Sequence, residues 1–174
     1  MHLKMSKILF DINSPFISPW IDRIGRVILN FSAIEFESYL WLIQMTEQPE
    51  LIPEFTEKLN LSNRIQKIIK LIKKKSYQKD WESDSIELWN EVSELSNLRN
   101  RVAHNPLMFG GQNEKGNREP DFIGIVNMKK NKTTENEPLL SKEEMDNLIN
   151  RIVAVYTKLN SLLEQWCEIR DSKK

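Results

Sequence analysis

Cysteine is nearly absent from this 174-residue chain, because Cys167 is the only one. A single cysteine excludes an internal disulfide and a cysteine-built zinc site, and it fits a reducing compartment. Long apolar runs are also missing: the short run from Ile8 to Phe10 is followed at once by Asp11, so we expect neither a signal peptide nor a membrane span. These absences predict a soluble, cytoplasmic protein with no membrane partner.

Charge of one sign is not in excess, because 25 basic residues balance 25 acidic ones. Without a global positive field, attraction to nucleic acid has to come from a local basic patch. The sequence contains no glycine-rich phosphate loop, serine-centred triad or zinc-ligand spacing, so we predict neither a cofactor nor a metal ion. The length fits a single domain over residues 1–174 with a sizeable core.

Hydrophobic periodicity predicts four helices and an all-α domain. The first helix is expected from about Pro19 to Met45, and its apolar residues cover most of its circumference. Such a helix is either central or shared with a partner subunit. The second is expected roughly from Ser62 to Lys75, with isoleucines on one side and Arg64 among lysines on the other.

The third and last helices carry capping signals. Asp84 and Glu87 have the spacing of a capping pair, which predicts a third helix from near Asp84 to about Asn105 and leaves Trp81 in a polar loop. Ser141 and Glu144 have the spacing of a capping box, which opens a last helix to about residue 170. Its apolar residues alternate three and four apart, as in a packed helical seam.

The segment 107–139 has a different composition, with glycines, Pro120 and a β-branched run that begins at Phe122. This pattern predicts a small β-hairpin insertion that pairs residues 107–109 with 122–128. Residues 1–18 are expected to form an N-terminal arm.

The stretch from Arg99 to Pro106 places His104 beside Arg99 and Arg101, near the end of the third helix. Histidine exchanges protons near neutrality, and arginine presents a planar fork of donors that matches a phosphate. His2 is the only other histidine, so His104 is the candidate proton-transfer residue. Together these residue types indicate a phosphodiester site.

The order of Arg99, the polar Asn100, three further positions and His104 resembles the motif of the HEPN superfamily. The resemblance implies a four-helix HEPN-like bundle and, as in many members, a metal-independent endoribonuclease that works as a dimer in toxin or antiviral defence systems. It assigns Arg99, Asn100 and His104 to the catalytic site. Pro106 stands where the branch of toxins neutralised by a nucleotidyltransferase carries a tyrosine, so the resemblance does not extend to that branch.

Arg99 also continues the apolar seam of the third helix, as Glu35 continues a stripe of the first. An unpaired buried charge costs several kcal/mol, so we predict a Glu35–Arg99 salt bridge. This bridge either only holds two helices in register or also orients the arginine toward a cleft. In a regular helix His104 lies about 140° around and roughly 7.5 Å along the axis from Arg99, which leaves Arg101 as the alternative phosphate clamp.

The functional hypothesis is cleavage of RNA by attack of a ribose 2′-OH on the adjacent phosphorus, with a histidine moving the proton and an arginine offsetting negative charge. A homodimer with a composite Arg/His site would supply the second His104. The predicted partners are a second copy, an RNA substrate and a cognate regulator or antitoxin, in stress or phage defence. The alternative is a non-catalytic HEPN-like binding or assembly module.

Overall fold

The computed structural model describes residues 15–46, 59–75, 78–104, 107–110, 122–125 and 140–172. Within these ranges the chain forms four α-helices: α1 (Ser18–Met45), α2 (Leu61–Lys75), α3 (Lys79–His104) and α4 (Lys142–Asp171). The predicted all-α architecture with four helices is therefore confirmed for the described part of the chain.

Two short strands lie between α3 and α4. β1 (Leu107–Gly110) pairs antiparallel with β2 (Phe122–Ile125), with Leu107 opposite Ile125. The remainder of the 107–139 segment and the first 14 residues lie outside the described residues. The β-hairpin insertion as a whole, and the N-terminal arm, stay predictions.

Local sequence determines where α1 and α4 begin. Pro19 lies in the first two positions of α1, where its fixed φ suits a helix and its missing N–H costs nothing. At α4 the Ser141 hydroxyl accepts from the Glu144 backbone N–H at 3.2 Å, and the Glu144 carboxylate accepts from the Ser141 N–H at 2.6 Å. The predicted capping box is confirmed.

The start of α3 differs from the prediction, because this helix begins at Lys79. Asp80 and Glu82 occupy its first turn, where negative charge is favoured by the helix dipole. Asp84 lies inside the helix, so the predicted capping pair of Asp84 and Glu87 is wrong. Asp80 and Glu82 precede Asp84 in the chain, and this pair lies in the first turn in place of Asp84 and Glu87.

Trp81 belongs to the core rather than to a polar loop, which corrects the prediction. Its ring stacks on Trp41 at 5.9 Å and on Trp166 at 5.2 Å between centroids. Its indole N–H donates to the Leu162 carbonyl at 2.9 Å. Since Trp89 meets Trp41 edge-on at 5.5 Å, the four tryptophans join α1, α3 and α4.

α1 packs on all three other helices, as α3 does too. α1 runs parallel to α4: Arg23 donates to Asp146 at 2.8 Å near one end, and the Cys167 thiol contacts the Gln44 side-chain oxygen at 3.8 Å near the other. Both contacts join residues 123 positions apart, so the two helices keep one register. In the described part of the chain, no helix is long and apolar enough to cross a membrane.

Candidate functional site

The Arg99 guanidinium is the centre of the candidate site. It extends from α3, whose buried seam includes Val92, Leu95 and Val102, and its Nη2 forms an ion pair with Oε1 of Glu35 on α1. The predicted Glu35–Arg99 bridge is thus present, and it joins the two helices.

Asn100 and Phe31 complete the surroundings of Arg99. Nη1 of Arg99 donates to the Asn100 side-chain oxygen at 3.0 Å, and the guanidinium carbon lies 4.9 Å from the centroid of the Phe31 ring. The side chains of Arg99 and Glu35 remain 21% and 32% exposed. Arg99 is therefore held by three neighbours without being sealed from solvent, although its position in the apolar seam predicts deeper burial.

His104 is the last residue of α3 and its side chain is exposed. Since α3 is helical up to this residue, His104 lies one turn beyond Asn100 on the same face and about 140° around the axis from Arg99. In the described part of the chain, no hydrogen bond or ion pair joins His104 to the Arg99 cluster. A cation at the C-terminal end of a helix is also favoured by the dipole, which is a structural reason for histidine here.

Arg101 is half-buried in the last turn of α3. It is two positions from Arg99, and two positions of a helix correspond to a rotation of about 200°. The two arginines therefore lie on opposite sides of α3 and do not form one clamp within a subunit. Arg101 is instead a neighbour of His104, three positions later.

The sequence pattern predicts Arg64 on a basic face among lysines, opposite the isoleucines of α2, and this is wrong. Arg64 is buried, and it donates to the Ser38 hydroxyl at 2.8 Å, the Tyr39 hydroxyl at 2.7 Å and the Leu59 carbonyl at 2.9 Å. Its guanidinium also lies 4.2 Å from the centroid of the Tyr39 ring. The sequence did contain one indication of this burial: Arg64 precedes the buried Ile68 by one helical turn, so the two residues lie on the same face of α2. Phe31 was likewise missed as a contact of Arg99.

Two grooves lie along α3 and α4, away from this cluster. One has a volume of about 790 Å³ and includes Glu82, Glu94 and Arg151, and the other has about 390 Å³ and includes Lys158; both include Glu87 and Glu91. Neither groove includes Arg99, Asn100 or His104. The candidate site is thus separate from these two acidic grooves.

Among the described residues, no group of three or more His, Cys, Asp or Glu side chains is placed to hold a metal ion. Comparison with protein-family models, with curated proteins and with solved structures finds no match to this chain. The resemblance to the HEPN superfamily therefore stays a prediction, based on Arg99, Asn100 and His104.

Proposed function

We propose that this protein is a metal-independent endoribonuclease of HEPN type, with an HEPN-like bundle, a hairpin insertion and a composite Arg/His site in a homodimer. The setting proposed is cytoplasmic stress or phage defence, with RNA as substrate and a cognate regulator or antitoxin as a further partner. The observation that supports this most is the cluster of Glu35, Arg99 and Asn100, one helical turn from an exposed His104.

The chemistry needs positive charge on the non-bridging phosphate oxygens and a group that moves a proton. A guanidinium has five N–H donors, and Arg99 uses one on Glu35 and one on Asn100. The donors that remain allow a phosphate to bind while Glu35 and Asn100 fix the orientation of the arginine. His104 would accept the 2′-OH proton, and the second His104 of a dimer would protonate the leaving 5′-oxygen, which yields a 2′,3′-cyclic phosphate.

Cleavage of total RNA by the purified protein, with and without EDTA, tests this proposal. Because His104 moves the proton, His104→Ala should lower cleavage about 10²–10⁴-fold with the helical circular dichroism unchanged. His2→Ala is the matched control, since it removes the only other histidine, and it should cleave at the parental rate. Undiminished cleavage by folded His104→Ala would refute the assignment.

A non-catalytic binding or assembly module is the second candidate. The observation that favours it is the ion pair itself, because Glu35 offsets the charge with which Arg99 would attract a phosphate. On this reading the parent protein leaves RNA intact at every concentration tested, while Arg99→Ala still weakens association with a partner.

A further inference from the structure

The outer face of α1 carries a row of apolar side chains that none of the other described helices covers. Leu29, Phe36 and Ile43 are 70%, 61% and 37% exposed, and Ala33 and Leu40 between them are half-exposed. Their spacing alternates four and three residues, which is the pattern of a helix that packs on another helix. The core side of α1 is a different set, centred on Phe31, Ile34 and Trp41.

This face continues onto α4 at Val153, which is 47% exposed. Val153 stands seven positions after Asp146 and fourteen before Cys167, so the three residues lie in one row along α4. Asp146 and Cys167 both contact α1, and Val153 therefore borders α1 at the level of Leu29. The apolar surface spans two helices that share one register.

We propose that a second copy of this chain packs on this face, with its α1 antiparallel to the first α1 across a two-fold axis at Phe36. Leu29 and Ile43 each stand seven positions from Phe36, so the row presents similar spacing in both directions. An antiparallel pair then places Phe36 against Phe36 and Leu29 against Ile43 of the other copy. A two-fold interface needs this kind of self-complementary patch.

The charge of this row agrees with a second copy as the occupant, and its area agrees with weak association. The outward positions from 29 to 43 carry no charge: Leu29, Ser32, Ala33, Phe36, Leu40 and Ile43. The nearest outward charges, Asp22 and Arg26, lie beyond the row and pair with each other at 3.9 Å, so two copies meet without repulsion. The row is about 21 Å long and, at a helix diameter of about 10–12 Å, covers about 200–250 Å² per partner, which is well below the roughly 800 Å² of a standard interface. We therefore expect a reversible dimer with a Kd on the order of 10 µM.

This geometry also relates the two candidate sites, a step that rests on the proposed function. Glu35 precedes Phe36 in the chain and lies on the flank of α1. When two antiparallel helices are related by a two-fold axis perpendicular to both, the same flank of each helix lies on the same side of the pair. When two parallel helices are related by a two-fold axis along their length, the same flanks lie on opposite sides of the pair. Both Glu35–Arg99 pairs thus open on one side of the dimer, at the level of the axis, as a composite site requires.

Sedimentation velocity from about 1 to about 100 µM, which brackets the expected Kd, measures the association. The parent should shift from the 20.6 kDa chain mass to twice that mass, and Phe36→Glu should remain a monomer because it places like charges at the axis. Asn147→Glu is the matched control: it adds the same charge at an exposed position of α4 about 120° from Val153, and it should still dimerise. A parent that is monomeric throughout this range overturns the inference.

Cysteine cross-linking tests the antiparallel arrangement in a Cys167→Ser background, since Cys167 is the only native cysteine. Phe36→Cys should cross-link to itself, and Leu29→Cys mixed with Ile43→Cys should form a mixed dimer. Leu29→Cys alone should not cross-link. Cross-linking of Leu29→Cys alone, without the mixed product, overturns the antiparallel arrangement.

RNA cleavage by the same samples separates the two proposals. A dimer with the expected cross-links that does not cleave RNA supports this inference and removes the proposed function. Cleavage that persists in monomeric Phe36→Glu at the parental rate removes the composite site and leaves the interface to be judged by sedimentation.

Discussion

Replacement of Arg99 by alanine tests how much this residue contributes to the stability of the fold. The change removes an ion pair to Glu35, a hydrogen bond to Asn100 and the contact with Phe31. A partly exposed ion pair contributes about 0.5–1 kcal/mol, a hydrogen bond about 1 kcal/mol and a cation–π contact about 0.5–1 kcal/mol. We expect a loss of about 2–3 kcal/mol, less than for a fully buried pair because 21% of the arginine and 32% of the glutamate side chain reach solvent.

The measurement is urea unfolding followed by fluorescence, with the buried tryptophans as reporters. For a domain of this size the loss corresponds to a Tm lower by about 4–12 °C. A double-mutant cycle with Glu35→Gln should give a coupling energy of about 1 kcal/mol. Arg151→Ala is the matched control, because Arg151 pairs with Glu91 at 3.4 Å on the surface, and it should cost less than about 0.5 kcal/mol.

Two results would contradict this reasoning. Equal stability losses for Arg99→Ala and Arg151→Ala would show that the ion pair at the candidate site is no more than a surface pair. A stable Arg99→Ala variant that also cleaves RNA at the parental rate would refute both its structural and its catalytic role, and would transfer the clamp to Arg101.

Burial raises the pKa of the Glu37 carboxyl on α1, so its contribution to stability is largest below the ordinary glutamate pKa and is lost as the pH rises through the raised value. Glu37→Gln should therefore raise the unfolding free energy at pH 7 and reduce the decrease of this free energy as the pH rises from 4.5. Glu164→Gln, at an exposed position, should change neither the unfolding free energy at pH 7 nor its pH dependence. An unchanged pH profile for Glu37→Gln would contradict the burial argument. Trp81→Phe removes the hydrogen bond to Leu162 and part of the ring stacking. It should lower the unfolding free energy by about 1–3 kcal/mol and weaken the near-ultraviolet circular dichroism. A variant with unchanged stability and an unchanged spectrum would contradict the stacked cluster.

Several features follow from sequence because they depend on neighbours along the chain. The Ser141–Glu144 capping box, Pro19 at the start of α1 and the three-four alternation of α4 involve residues within one or two turns. The pairing of Glu35 with Arg99 was also predictable, although it joins distant positions, because each residue interrupts an apolar stripe and a charge in such a place needs a partner.

Tertiary packing alone decided the environment of Arg64, Trp81 and the outer face of α1. Arg64 is buried because Ser38 and Tyr39 on α1 supply acceptors beside the nearby Leu59 carbonyl. Trp81 is buried because Trp41 and Trp166 stack on it. The sequence of α1 is apolar around most of its circumference, so periodicity cannot select the side that faces the core. Sequence by itself determined the four helices, the α4 capping box and the motif residues, while the packing of the helices on one another determined which faces are covered and which remain exposed.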